Sequence, residues 1–132
     1  MSCFGWYDIN VVIPVSNEEQ AAKIKQEFDS LDIKYRDIYI RQATDKDGSP
    51  TLHLERDTGE YYNSNDAELN TIAKWLHDSG YPAKGEIFAE VENEHVRGEF
   101  HDGEVQWQSI DWLIYYTNDQ IKELHKYAKE HF

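Results

Sequence analysis

The stretch Gly85-Glu86-Ile87-Phe88-Ala89-Glu90-Val91-Glu92 decides the fold. Ile87, Ala89 and Val91 point one way; Glu86, Phe88, Glu90 and Glu92 point the other. That is the two-residue period of a strand with one dry face and one wet face. Toward the C-terminus, Val96 to His101 reads as the next strand, and Asp102-Gly103 is a two-residue hairpin turn. Glu104 to Tyr116 reads as a long aromatic strand with a phase slip near Ser109. Thr117 and Gln120 make a capping box for a last helix that buries Ile121, Leu124 and Ala128.

Toward the N-terminus the period changes. Asn65 and Glu68 pair as a helix cap, and Leu69, Ile72, Ala73 and Leu76 form one buried stripe. Gly80 stands where a left-handed C-cap belongs, with Pro82 just beyond. Asp8 to Val15 is a Val/Ile-rich buried strand. Ser16 and Glu19 cap a helix carrying Ala21, Ile24, Phe28 and Leu31 on one face. Ile33 to Ala43 reads as a strand with a bulge near Asp37. Asp45 to Pro50 is a turn, and Thr51 to Arg56 is a strand.

The order β-α-β-β-α-β-β-β-α is that of an α+β domain. Its first six elements have the ferredoxin-like β-α-β-β-α-β order. They predict a mostly antiparallel sheet with both long helices on one face. Two C-terminal strands extend the sheet, and a terminal helix docks on an end or a face. No linker, repeat or low-complexity tract interrupts the chain, so 1–132 reads as a single domain. Phe100, Val105 and Trp107 should then be buried with Ile24, Phe28, Leu69, Ile72 and Leu76.

The chain has 26 acidic and 13 basic residues, a net charge of −13. Such a balance disfavours direct contact with nucleic-acid phosphates or an anionic membrane, and favours partners with basic surfaces. The acids are not spread evenly. From Gly85 to Asp119 there are nine, against a single base, Arg97. Strand alternation places Glu86, Glu90 and Glu92 on one face, and Glu99 and Glu104 join them if Phe100, Val105 and Trp107 line the core. Like charges on neighbouring strands repel, so clustering them needs a reason. A basic partner is one; a solvated face is the plainer alternative.

The remaining motifs do not complete a catalytic site. Asp57-Thr58-Gly59 matches the aspartic-protease triplet, but there is one copy, and Leu54-Glu55-Arg56 precedes it where an apolar strand is needed. It reads as a turn. Asp45-Lys46-Asp47-Gly48 fails as a calcium loop, because Ala43 and Leu54 fall where carboxylates are required. His53-Leu54-Glu55 lacks the paired cysteines of a zinc deaminase. A loose site at His95, Glu99 and His101 is less favoured than a solvated strand. The one cysteine, Cys3, fits a reducing, cytoplasmic setting, and the N-terminus carries no signal or membrane segment. No cofactor and no metal are expected.

Among the aromatics, Trp107 and Trp112 read as core. Trp6, Tyr61 and Tyr62 flank predicted loops or ends, which makes them candidates for an interface.

The stretch Gly85-Glu86-Ile87-Phe88-Ala89-Glu90, then Arg97, then Phe100-His101-Asp102-Gly103-Glu104-Val105, resembles the C-terminal part of small uncharacterised phage and bacterial proteins. In those, a G-x-I strand leads to a hairpin closed by Asp-Gly. They tend to have Gly-Glu where this chain has Val91-Glu92, and a Trp near Val96. The resemblance covers a minor part of the chain. It implies a phage or mobile-element setting and assigns no functional residue.

The leading expectation is a non-enzymatic inhibitor or decoy. It would bind a basic, nucleic-acid-handling surface of a partner protein, as phage anti-restriction and anti-CRISPR proteins do as a class. The alternative is a small-ligand-binding or accessory domain that uses its aromatic loops. The expected partner-binding residues are Glu86, Glu90, Glu92, Glu99, Glu104, Trp6, Tyr61 and Tyr62.

Overall fold

The structure is a computed structural model that describes residues 5–92 and 94–110. In chain order the elements are β1 (Gly5–Pro14), α1 (Glu18–Asp29), β2 (Ile38–Thr44), β3 (Pro50–Arg56), β4 (Glu60–Tyr61), α2 (Asn63–Ser79), β5 (Lys84–Val91), β6 (Glu94–His101) and β7 (Glu104–Ser109). The strands form one seven-stranded sheet in the order β2-β3-β1-β5-β6-β7, with β4 also paired to β1. All its pairings are antiparallel. The protein is therefore α+β, with two helices among the described residues.

The core follows from alternation. Tyr7, Ile9, Val11 and Ile13 of β1 are buried on one face, joined by Leu52 and Leu54 of β3 and by Ile87 and Ala89 of β5. Both helices bring their stripes to these residues: Ala21, Ile24 and Phe28 from α1, and Leu69, Ile72 and Leu76 from α2. Full burial of each large aliphatic side chain contributes about 1.5–3 kcal/mol. Trp75 joins the helices through ring contacts to Phe28 and to Tyr81, at 5.8 and 5.6 Å. Glu27 ties down the same corner by accepting from the Tyr81 hydroxyl at 2.7 Å.

Several local expectations are corrected. The cap of α1 is Asn17, not Ser16: Asn17 Oδ1 accepts from the Gln20 N–H at 2.8 Å, and the Ser16 N–H donates to the Gln20 side chain at 2.6 Å. β2 begins at Ile38, so the phase slip at Asp37 marks the end of a connection, not a bulge. The helix α2 starts before Asn65, whose side chain accepts from the Tyr62 N–H at 2.7 Å. Glu68 is freed from capping and serves β2 instead. Gly80 does adopt the left-handed conformation, φ 71°, and donates to His77 O, while Tyr81 N–H returns to Leu76 O.

Phe100 and Val105 are half-buried against the core, and Trp107 is 37% exposed. They lie at the β6–β7 end of the sheet, where the cover comes from α2. Their phase is nevertheless the core phase, since the Trp107 ring sits where Gly98 leaves room. A Cβ on Gly98 would lie 2.8 Å from that ring. The expected continuation of the last strand to Tyr116, Trp112 and the terminal helix lie outside the described residues.

Candidate binding surface

The second face of the sheet carries no helix among the described residues. Its centre is β1 beside β5. In register, Trp6 faces Glu90, Asp8 faces Phe88 and Asn10 faces Glu86. Trp6 and Phe88 are thus diagonal neighbours on adjacent strands. They are 49% and 38% exposed, unusual for large rings on a sheet. β6 adds His95, Arg97 and Glu99 to this face, and β7 adds Glu104, Gln106 and Gln108.

Electrostatically the face is mixed. The Trp6 indole donates to Glu90 Oε2 at 2.7 Å, and His95 Nε2 stands 3.7 Å from the same oxygen. Arg97 lies 3.5 Å from Glu86 Oε1 and donates to Gln108 at 3.2 Å. Asp8 is 3.4 Å from Arg56 Nε. Glu99 and Glu104 are exposed. The expected carboxylate array is therefore interrupted on this face. Arg97 stands between Phe88 and Gln108 and partly neutralises it.

Other expected site residues also move. Glu92 is not on the strand face, because it occupies the turn after β5 with φ 52°. Tyr61 is not exposed. β4 holds it against β1, and its ring fills the core edge-on to Tyr7 and Trp107, at 5.7 and 6.4 Å. Its hydroxyl donates to Asp66. Burial first, then that bond, pushes the phenol's pKa up. Tyr62 is half-buried, and its hydroxyl donates to Glu60. Trp6, expected near an end, lies within β1 and keeps its exposure.

A second locus joins the α1–β2 connection to the start of α2. One groove of about 720 Å³ runs past Ile33, Tyr35, Ser64 and Glu68. An adjoining one of about 250 Å³ runs past Tyr35, Asp37, Thr58 and Tyr62. Beneath them is a polar knot that sequence reasoning missed. The Tyr7 hydroxyl donates to Asp37, whose other oxygen accepts from the Thr58 N–H at 2.8 Å and its hydroxyl at 3.0 Å. Glu68 Oε2 accepts from the Asp37 and Ile38 N–H groups at 2.7 and 2.9 Å. Glu68 is 1% exposed, and burial raises its carboxyl pKa although these donors pull it down. At Asp37 burial also acts upward, but the Tyr7 and Thr58 hydrogen bonds win and hold it below 3.8. Burial and the Asp37 bond push the Tyr7 phenol up.

The Asp57-Thr58-Gly59 triplet is a turn whose Thr58 caps Asp37. A signal for Glu68 was present: it falls four residues before Ile72, on the buried stripe of α2. Phe88 was equally legible, on the wet phase of its strand. No group of three or more His, Cys, Asp or Glu side chains able to hold a metal occurs among the described residues. No helix among them is long and apolar enough to cross a membrane. No family model, curated protein or solved structure matches this chain.

Proposed function

We propose that this chain is a non-enzymatic inhibitor or decoy that docks the sheet face opposite α1 and α2 on a basic, nucleic-acid-handling surface of a partner protein. The observation that carries this reading is an exposed aromatic pair, Trp6 and Phe88, with Glu90 beside it and Glu99 and Glu104 farther along the same face, on a chain of net charge −13. Binding energy concentrates on aromatic anchors, and a charged rim steers encounter and selects the opposite sign. Carboxylates would stand where phosphates sit, as in phage anti-restriction and anti-CRISPR proteins by analogy. The hairpin resemblance adds a phage or mobile-element setting, and the lone cysteine fits the cytoplasm.

The finer topology belongs to the same reading. The order β2-β3-β1-β5, with both helices against one face, supports a ferredoxin-like core extended by β6 and β7. The short β4 departs from that pattern.

The test is charge reversal on a partner identified by pull-down at low salt. Glu99→Lys with Glu104→Lys should weaken binding about a hundredfold, equivalent to the several kcal/mol of a like-charge contact. Reversal of exposed helix acids, Glu19→Lys with Asp78→Lys, should do much less. Equal effects of the two pairs would mean that only total charge matters, and no effect of the strand pair would return this face to solvent.

A second reading rests on the groove beside Tyr35 and Tyr62, which suits a small planar ligand in an accessory domain. Tyr35 is 54% exposed at its mouth. A ligand found by thermal-shift screening should lose its stabilising effect in Tyr35→Ala.

A further inference from the structure

The described part of the chain ends on the sheet face opposite α1 and α2, and it ends pointing along that face. The Ile110 N–H donates to His95 O, which continues the register Val96↔Ser109 by one pair. Alternation puts Ile110 on the same face as Gln106 and Gln108. His95 pairs in turn with Glu90, and Glu90 with Trp6. Ile110 therefore ends a row that crosses β6 and β5 to Trp6. At about 4.8 Å per strand, the row is about 14 Å long. Asp111 to Tyr116, fully extended, would span about 20 Å.

This face has groups in want of partners. The rings of Trp6 and Phe88 are exposed, while α1 and α2 both pack on the other face. The carboxylates of Glu99 and Glu104 have no hydrogen-bond or ion-pair partner among the described residues. The sequence after Ile110 matches these groups in kind. Trp112-Leu113-Ile114-Tyr115-Tyr116 is an apolar and aromatic run, which gains by leaving water. Ile121, Leu124 and Ala128 recur at helical spacing. On the same wheel Lys122 and Lys129 fall beside that stripe, and Glu123 and Glu130 fall away from it.

We propose that residues 111–132 fold back over this face. They seat the Ile121, Leu124 and Ala128 stripe on Trp6 and Phe88, and turn Lys122 and Lys129 toward the carboxylates of β6 and β7. The tether through Ile110 selects this occupant over a free one, since it holds the segment at an effective concentration on the order of millimolar. The bonds of Glu90 to Trp6 and of Glu86 to Arg97 can stay as they are, because the segment stacks on the rings. The contact rests on the docking reading in one respect: a partner that uses this face must first displace the segment.

The test replaces Phe88 of the full chain with the photoreactive analogue p-benzoylphenylalanine. Irradiation, digestion and mass spectrometry should show position 88 joined within one molecule to a peptide from 111–132. The same group in place of Tyr35, beside the groove, should not join that peptide. Ile121→Gln with Leu124→Gln removes the stripe without changing charge, and should lower the yield about tenfold while circular dichroism shows the sheet retained. No product at position 88, a product at position 35 instead, or an equal yield in the double variant overturns the proposal. The double variant also separates it from the docking reading. With the cover weakened, the partner found by pull-down should bind about tenfold more tightly. A product at position 88 with partner binding unchanged upholds the cover and overturns docking at this face.

Discussion

Two groups of carboxylates in this protein do opposite things. Asp37 and Glu68 sit beneath the groove, where each accepts several hydrogen bonds from the backbone and from side chains. Glu90 and Glu86, half-buried on the other sheet face, meet only side chains of neighbouring strands: Trp6 and His95 at Glu90, and Arg97 at Glu86. The first pair joins β2, the β3–β4 turn, β1 and α2. The second pair joins neighbours already held by the sheet ladder. A strongly acidic composition thus divides into a few acids that build the fold and many that shape its surroundings, and the number of backbone and side-chain donors each acid gathers separates the two.

The sharpest way to break this comparison is to remove Glu68. Glu68→Ala leaves the Asp37 and Ile38 N–H groups without their acceptor in a buried site. The cost should be about 3 kcal/mol by urea unfolding. A loss under about 0.5 kcal/mol would place Glu68 with ordinary surface acids.

The pH dependence of stability should separate Asp37 from Glu68 by sign. Asp37 is held below 3.8 in the fold. Its contribution is full above that value and is lost as pH falls through the lower folded value. Glu68 is raised above 4.5, so its contribution is full below 4.5 and fades as pH rises through its folded value. The advantage of wild type over Asp37→Asn should therefore shrink on acidification. Its advantage over Glu68→Gln should shrink as pH rises. Denaturant titrations at several pH values read both slopes, and slopes of the same sign would contradict the assignment.

The smallest effect belongs to the sheet face opposite the two helices. Glu90→Gln keeps an oxygen for the Trp6 indole and loses only charge. Stability should stay within about 0.5 kcal/mol of wild type. A larger change would make Glu90 a structural acid like Glu68.

These contrasts also explain which parts of the molecule were legible in the sequence. The alternation of Gly85 to Val91 carried β5, its two faces and the phase of Glu90, because a period of two has one physical reading. Gly80 and Asp102-Gly103 marked their turns through backbone conformations that few residues adopt. Tyr61 was misplaced because a two-residue strand has no period to read, and pairing with Gly5 is a long-range event. Glu92 was misplaced because alternation does not show where a strand yields to its turn. Glu68 was read as a cap because the capping pattern is local, whereas its donors lie about thirty residues upstream.

The central position of β1 has a consequence for how the chain is made. β1 leaves the ribosome before every other described element, yet its neighbours are β3 on one side and β5 on the other. Until Pro50–Arg56 has been synthesised it has no partner, and its second side stays bare until Lys84–Val91 follows. β5, β6 and β7, by contrast, pair through tight local hairpins as they emerge. The nascent chain therefore carries β1 unpaired until Arg56 and paired on only one of these sides until Val91. That interval, more than any later step, is when β1 is open to non-native strand pairing and to holding by chaperones.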